Sequence, residues 1–137
     1  MADKDLIRYS RHIMLPEIDI EGQISISSSK IAVVGLGGLG CSASVYLAAS
    51  GVGELNLIDN DLIDLSNLQR QILFSEADLN KKKVDTAKIK LTSLNENIKV
   101  NSSNLRLSKS NIRKILEGSE IVLDCSDNFE TRKVINA

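Results

Sequence analysis

The sequence predicts an α/β fold in which a doubly wound, mainly parallel sheet carries helices on both faces. Short apolar runs rich in β-branched residues alternate along the chain with amphipathic segments of helical period, as in successive strand–helix units. A glycine-rich turn follows the first apolar run and opens the helix after it. Because crossovers between parallel strands are right-handed, we expect a Rossmann-like sheet with strand order 3-2-1-4.

The alternation predicts four strands and the helices between them. The run KIAVVGLGGLG predicts a buried strand that ends in a tight turn, and ELNLIDND predicts a second strand. Two further strands are predicted, one beginning at Ile98–Val100 and one over Glu120–Cys125. Helices are predicted over Leu39–Ser50, Lys81–Leu94 and Lys109–Leu116, and another begins after Asn128.

The first 30 residues are predicted to form a helical arm in front of a domain that covers residues 31–137. Within Asp3–Met14, apolar residues recur at roughly helical spacing, Asp3 is a candidate N-cap, and Pro16 ends the pattern. The proposed apolar face consists of Leu6, Ile7, Ser10, Ile13 and Met14. Residues 17–29 are polar and rich in serine, which predicts a connector or a weak helix.

Composition and charge exclude several classes of protein. A net charge of -1, an aromatic content of 3% and the absence of tryptophan argue against a nucleic-acid partner. No apolar run approaches the roughly 18 residues that cross a membrane, and the first residues contain no apolar signal core. We therefore expect a cytoplasmic protein without a membrane partner, in which Cys41 and Cys125 are buried, reduced thiols.

The turn Gly35-x-Gly37-x-x-Gly40 predicts a site for the phosphates of a nucleotide. The first glycine permits the turn, the second lets a phosphate approach the backbone, and the third lets the helix pack closely on the strand. The start of the helix offers unpaired N–H groups to the phosphates. Asp59 follows 19 residues after Gly40, where it can accept hydrogen bonds from ribose hydroxyls. The alternative is a turn that serves helix packing only.

The charged residues that follow decide between two kinds of nucleotide. The glycine turn and Asp59 alone would indicate a dinucleotide-dependent oxidoreductase. Arg70, Lys83 and Asp127 are expected at the same edge of the sheet, although each by itself is commonly a surface charge or a helix cap. Together they predict ATP with Mg²⁺, because cations neutralise the phosphates and a carboxylate helps to hold the metal.

Several blocks of the sequence resemble the ThiF/MoeB/HesA group, bacterial relatives of ubiquitin-activating enzymes. The blocks are IAVVGLGGLGCSASVYLAASGVGELNLIDND, LSNLQRQILF and VLDCSDNFETRKVINA, and the opening DLIRYSRHIMLPEIDIEGQ is also similar. They cover nearly the whole chain in the order and spacing of the family. RYSR and the uninterrupted NLQRQILF resemble the thiamine-pathway branch more than the molybdopterin-pathway branch.

The resemblance implies ATP-dependent adenylylation of the C-terminal Gly-Gly carboxylate of a small ubiquitin-like sulfur-carrier protein, with release of pyrophosphate. The product would serve thiamine or molybdopterin biosynthesis. Family members are longer, so we expect residues 31–137 to be the ATP-binding half of a larger domain. Structural zinc, bound by Cys-x-x-Cys pairs, is expected only in the missing C-terminal half.

The resemblance also implies roles for individual residues. Asp59 corresponds to the ribose ligand, Lys83 neutralises charge on the phosphates, and Asp127 positions Mg²⁺ through ATP. Arg11 is implied to reach the ATP of the other subunit in a homodimer. The implied ATP contacts are Gly35, Gly37, Gly38, Gly40, Asp59, Asp61, Ser66, Asn67, Gln69, Arg70, Lys83, Asp127 and Asn128. The implied catalytic residues are Arg11, Arg70, Lys83 and Asp127.

The sequence departs from the family pattern in three places. His12 stands where glutamine is common, and its role is open. Lys82 is a possible substitute for Lys83, because the Gly or Pro that often precedes the lysine is absent. Cys41 and Cys125 match neither the zinc ligands nor a sulfur-carrying cysteine, so we assign no metal or persulfide chemistry to them.

Two other functions remain open from the sequence. One is an NAD-binding oxidoreductase domain, which the glycine turn by itself would support. The other is a non-catalytic fragment that binds nucleotide or dimerises without turnover. We expect these 137 residues alone to have little or no adenylation activity.

Overall fold

The computed structural model describes residues 2–126 and 129–136. In this part of the chain, four parallel strands form one sheet with the order β3-β2-β1-β4, which confirms the predicted topology. The strands are β1 (Lys30–Val34), β2 (Glu54–Ile58), β3 (Lys99–Ser103) and β4 (Ile121–Asp124).

Helices cover both faces of the sheet, as predicted. They are α1 (Asp3–Arg8), α2 (Ser10–Ile13), α3 (Asp19–Ser28), α4 (Gly38–Ser50), α5 (Lys83–Leu94), α6 (Ile112–Ile115) and α7 (Phe129–Asn136), with 3₁₀ turns at Leu65–Asn67 and Glu76–Asp78. None of the helices in the described ranges has the length and apolar character needed to cross a membrane.

The sheet separates two apolar clusters. Ile31 and Val33 of β1 pack with α4 and α5 on one face. Ala32 and Val34, the alternate residues of the same strand, pack with α6 and α7 on the other face. Both sets are buried, which is why β1 is apolar throughout and shows no alternation of polar residues.

Glycines fix the entry and exit of α4. Gly35 has a φ of 96°, and a Cβ atom there would lie 2.8 Å from the carbonyl oxygen of Cys125. A Cβ atom on Gly40 would lie 1.7 Å from the carbonyl oxygen of Gly35, so the helix can rest on the turn only without a side chain at this position. Gly51 ends the helix in the left-handed conformation, as predicted.

The N-terminal helix differs from the prediction in two respects. The expected single helix over Asp3–Met14 is divided into α1 and α2 at Tyr9, and Ala2, not Asp3, is the N-cap. Most of the predicted apolar face is not a core face, since Ile7 and Met14 are 77% and 79% exposed. Tyr9, which is 4% exposed, is the buried contact of this segment instead.

Tyr9 and Gln23 fasten the N-terminal helices to the rest of the chain. The Tyr9 hydroxyl accepts a hydrogen bond from Asn95 Nδ2 at 2.9 Å, and the same Asn95 nitrogen donates to the carbonyl of Ala48. Gln23 Nε2 donates to the carbonyl of Ser50 at 3.0 Å. Residues 17–29, predicted as a connector or a weak helix, therefore include a helix, α3, that is bonded to the end of α4.

Helix α6 is shorter than the predicted segment Lys109–Leu116. The side chain of Asn111 accepts a hydrogen bond from the Ser108 amide and donates one to the carbonyl of Arg106. These bonds hold residues 106–111 as a turn, because an asparagine side chain competes with helical backbone bonds. Helix α5 also begins later than predicted, at Lys83.

We expect Tyr9→Phe to lower the free energy of unfolding by about 1–3 kcal/mol, because it leaves a buried N–H of Asn95 without its acceptor. Urea unfolding followed by circular dichroism measures this change. Tyr46→Phe is the matched control, since Tyr46 is exposed, and it should leave the unfolding free energy unchanged. Equal stability of the two variants would contradict the anchoring role of Tyr9.

Candidate functional site

A cleft of about 560 Å³ lies at the carboxyl ends of the strands. This is the edge at which parallel α/β sheets bind ligands, and the volume lies in the usual range for ligand pockets. The structure brings eight residues of the predicted site to the lining of this cleft. They are Gly35, Gly37, Gly38, Asp59, Asp61, Asn67, Arg70 and Lys83.

The glycine turn forms one wall of the cleft. At Gly37 a Cβ atom would meet no atom of the described residues within 4 Å, apart from its chain neighbours, so packing in the described part of the chain does not require glycine at this position. Gly37 is also the N-cap of α4 and has no side chain to cap the helix, which leaves the first amides of α4 available to a ligand. Gly40 does not line the cleft and serves the packing of α4 on the turn.

Asp59 ties the glycine turn to the end of β2. Its Oδ2 accepts a hydrogen bond from the Leu36 amide at 2.7 Å, and its Oδ1 accepts one from the Asp61 amide at 2.7 Å. An ionised carboxylate has about four acceptor positions, so two remain for a ligand. These two bonds orient the carboxylate before any ligand arrives.

The segment after β2 folds into a turn that carries Asn67 and Arg70. Asp64 accepts hydrogen bonds from the amide and the hydroxyl of Ser66, and these bonds lower the pKa of the Asp64 carboxyl group. Arg70 Nη1 donates to the carbonyl of Ser66 at 3.4 Å. The stem of Arg70 lies 3.6 Å from the position of a Cβ atom on Gly38, which places this side chain over the glycine turn.

Lys83 is a buried cation in the wall of the cleft. Its side chain is at the start of α5, the residue is 5% exposed, and its amide donates to the carbonyl of Asp61. Lys83 has no ion pair with the side chains described over residues 2–126 and 131–136. Lys82 is exposed and does not line the cleft, so Lys83 is the lysine that the fold presents to a ligand.

Besides Gly40, three predicted residues do not line the described cleft. Ser66 and Gln69 are exposed on the turn beside it, and Arg11 is exposed on α2. Asp127 and Asn128 lie outside the described residues. In the described part, no three acidic, histidine or cysteine side chains are placed to hold a metal ion.

The sequence prediction missed six polar or charged residues that line the cleft: Asn60, Gln71, Arg106, Ser126, Thr131 and Arg132. Arg106 follows β3 along the chain, and strand order alone could have placed it at this edge. Arg132 donates two hydrogen bonds to the carbonyl of Ser126, at 3.2 and 2.9 Å. These bonds fix the beginning of the segment that leads from β4 to α7.

The cysteines are poor nucleophiles in this structure. Cys41 is fully buried and donates to the carbonyl of Leu36, and burial raises the pKa of its thiol to about 12. Cys125 differs from the expectation, since it is only partly buried and lines the cleft beside the glycine turn. Partial burial still raises the pKa of its thiol. A thiol that stays protonated is neither a nucleophile nor a metal ligand at neutral pH.

The chain is similar in sequence to adenylyltransferases and similar in structure to a solved protein of the same fold. The chain is 46% identical over 136 residues to the molybdopterin-synthase adenylyltransferase of Haemophilus influenzae, covering 99% of this chain and 56% of that protein. It is 44% identical to the sulfur carrier protein ThiS adenylyltransferase of Escherichia coli, covering 100% and 55%. The chain therefore spans about half the length of these curated relatives.

The crystal structure of E. coli MccB with MccA-N7isoASN superposes with a TM-score of 0.86 at 34% identity, covering 96% of this chain and 39% of that one. The similar identities to the two biosynthetic relatives do not separate the thiamine branch from the molybdopterin branch, so that preference stays a prediction. The model of the ThiF family matches residues 9–137. This chain belongs to the ThiF family.

Proposed function

We propose that this chain is the ATP-binding part of an enzyme that adenylylates the C-terminal Gly-Gly carboxylate of a small ubiquitin-like sulfur-carrier protein. The observation that carries the proposal is a largely buried lysine, Lys83, that has no ion pair among the described side chains and lines the same cleft as the glycine turn at Gly37. The names of the relatives support it, since they are adenylyltransferases of sulfur-carrier pathways.

The cleft fits a polyphosphate. Lys83 is 5% exposed, and no described carboxylate lies within ion-pair distance of its ammonium group, so an anion in the cleft would supply the close counter-charge that a largely buried cation favours. The first amides of α4 and the guanidinium of Arg70 lie on the same cleft and add further donors. Asp59, already oriented by two amides, would bind the ribose hydroxyls with its remaining lone pairs.

The reaction requires positioning and charge neutralisation from these residues. The carboxylate of the carrier is ionised at pH 7, so no general base is needed. Its oxygen attacks the α-phosphorus, the bond from that phosphorus to the bridging oxygen of the β-phosphate breaks, and pyrophosphate leaves. Arg70 and Lys83 stabilise the negative charge that develops on the departing oxygens, and the amides of α4 hold the phosphates in line for attack.

Mg²⁺ would neutralise further charge on the phosphates, and Asp127 is the residue proposed to hold it through ATP. The oxidoreductase alternative rests on the glycine turn alone and gains no support from Arg70 and Lys83.

Arg11 contributes to this site from a second copy of the chain. It is exposed and does not line the cleft of its own chain. The N-terminal helices around it expose Ile7, Met14 and Leu15, an apolar surface suited to association. In a symmetric homodimer each subunit would then supply Arg11 to the cleft of the other.

Gly37→Ala should weaken MgATP binding and leave the stability of the fold nearly unchanged. The added methyl group meets no protein atom, so we expect the unfolding free energy to change by less than about 1 kcal/mol. The methyl group occupies space meant for phosphate, and we expect the affinity for MgATP to fall by about tenfold or more, equivalent to about 1.4 kcal/mol. Isothermal titration and urea unfolding measure the two effects.

The matched control for Gly37→Ala is Gly40→Ala, whose methyl group would collide with the Gly35 carbonyl. This variant should lose stability, because neither backbone can move away without separating α4 from the sheet. Unchanged MgATP affinity in Gly37→Ala would argue against phosphate binding at the turn.

Asp127→Ala in the natural protein should lower ATP–pyrophosphate exchange with the cognate carrier by about 100-fold or more, because it removes a group that acts on the reacting phosphates. Asp3→Ala is the control, since Asp3 is an exposed residue of α1, and it should exchange at the parental rate. Parental exchange by Asp127→Ala would show that the proposed mechanism is wrong. The 137-residue chain alone is expected to give little or no exchange.

Mixing two inactive variants tests the role of Arg11. Arg11→Ala and Lys83→Ala should each abolish exchange, whereas a mixture with exchanged subunits should regain about a quarter of the parental activity. Half of the dimers are then mixed, and one of their two sites has both residues intact. Subunit exchange is verified by two different affinity tags. If verified mixed dimers regain no exchange activity, Arg11 does not act on the site of the other subunit, and the proposed role is wrong.

A further inference from the structure

Two side chains in the described part of the chain contain an enclosed polar atom that lacks a hydrogen-bond partner. The atoms are Ser44 Oγ and Gln71 Oε1. Enclosed polar groups in folded proteins are nearly always paired, so each exception calls for an explanation. Their positions differ, because Gln71 lines the cleft and Ser44 lies within α4, away from it.

The backbone around Gln71 is well fixed. Its amide donates to the carbonyl of Asn67 at 2.9 Å, and its carbonyl accepts from the Phe74 amide at 3.1 Å. The residue is 2% exposed. The Oε1 atom gives up hydration without gaining a described protein partner, and in the lining of a cleft such an atom is one that a bound group can complete.

Lys83 is the complementary group on the same cleft. Its ammonium group has three N–H donors and, as described above, no ion pair among the described residues. The amide of Gln71 combines an acceptor oxygen with an NH₂ donor. It can therefore bridge a cation and an anion, with the oxygen towards the ammonium and the nitrogen towards a phosphate oxygen.

We propose that Gln71 is a positioning residue of the polyphosphate site. When nucleotide is bound, its Oε1 accepts a hydrogen bond from the Lys83 ammonium and its Nε2 donates to a phosphate oxygen. Gln71 thereby directs the charge of Lys83 at the phosphates. The inference takes the identity of the ligand from the proposed function. The choice of Gln71 comes from its enclosed side-chain oxygen, which has no described partner.

The test replaces Gln71 with methionine, which has a similar length and lacks the amide. Without nucleotide, Gln71→Met should have an unfolding midpoint equal to or above that of the parent protein, because an unpaired polar group is removed. The affinity for MgATP, measured by isothermal titration, should fall about tenfold. Ser44→Ala is the matched control, since it removes the other unpaired atom, and it should bind MgATP like the parent.

A double-mutant cycle tests the connection to Lys83. In a Lys83→Met background, Gln71→Met should lower MgATP affinity by clearly less than the roughly tenfold expected in the parent, because the contribution through the lysine is gone and only the Nε2–phosphate contact remains to be lost. Independent effects of the two substitutions would overturn the assignment. So would parental MgATP affinity in Gln71→Met, or a clear loss of its stability without nucleotide, which would indicate a purely structural residue.

The failure of this inference is distinguishable from the failure of the proposed function. A parent protein that binds no MgATP would overturn both. A parent that binds MgATP and a Gln71→Met variant that binds it equally well would overturn the role of Gln71 alone.

Discussion

The close approach of Gly40 to the carbonyl of Gly35 is the constraint on which the rest of the structure depends. No side chain fits between these atoms, and their contact seats α4 on the turn that leaves β1. The first amides of α4 then face the carboxyl edge of the sheet, where parallel strands leave room for a ligand. The hydrogen bond from the Leu36 amide to Asp59 locks the same turn to the end of β2. Packing and ligand binding therefore use one piece of backbone, with Gly40 serving the first and Gly37 the second.

The polar groups of the molecule divide into those that stabilise the fold and those that it leaves unpaired. Tyr9, Asn95 and Gln23 are buried and hydrogen-bonded, and they hold the N-terminal helices against the end of α4. The Oε1 atom of Gln71 is enclosed and has no described hydrogen-bond partner, and Lys83 is largely buried without an ion pair among the described side chains. An unpaired buried polar group costs about 1–3 kcal/mol. Gln71 and Lys83 both line the cleft, so a ligand that completed the Gln71 amide would regain this free energy as binding affinity.

In the proposed function this chain supplies one wall of an adenylation site, and its glycine turn, Asp59, Arg70 and Lys83 hold the nucleotide. The chain spans about half the length of the adenylyltransferase relatives. Arg11 does not line the cleft of its own chain, so its proposed role requires a second copy of the chain. The site as proposed is thus assembled from more than one segment.

The sequence by itself determined the strand order, both ends of α4, and the positions of the glycines and of Asp59. Local periodicity and the rule for right-handed crossovers are sufficient for these features. Only the tertiary structure decided that Tyr9 is buried and Ile7 exposed, that Asn111 shortens α6, and that Gln71 and Arg106 line the cleft. These outcomes depend on partners that are distant in the chain, such as Asn95 for Tyr9. A periodic pattern reports which face of a helix is apolar, whereas burial and hydrogen bonding depend on what the fold brings against that face.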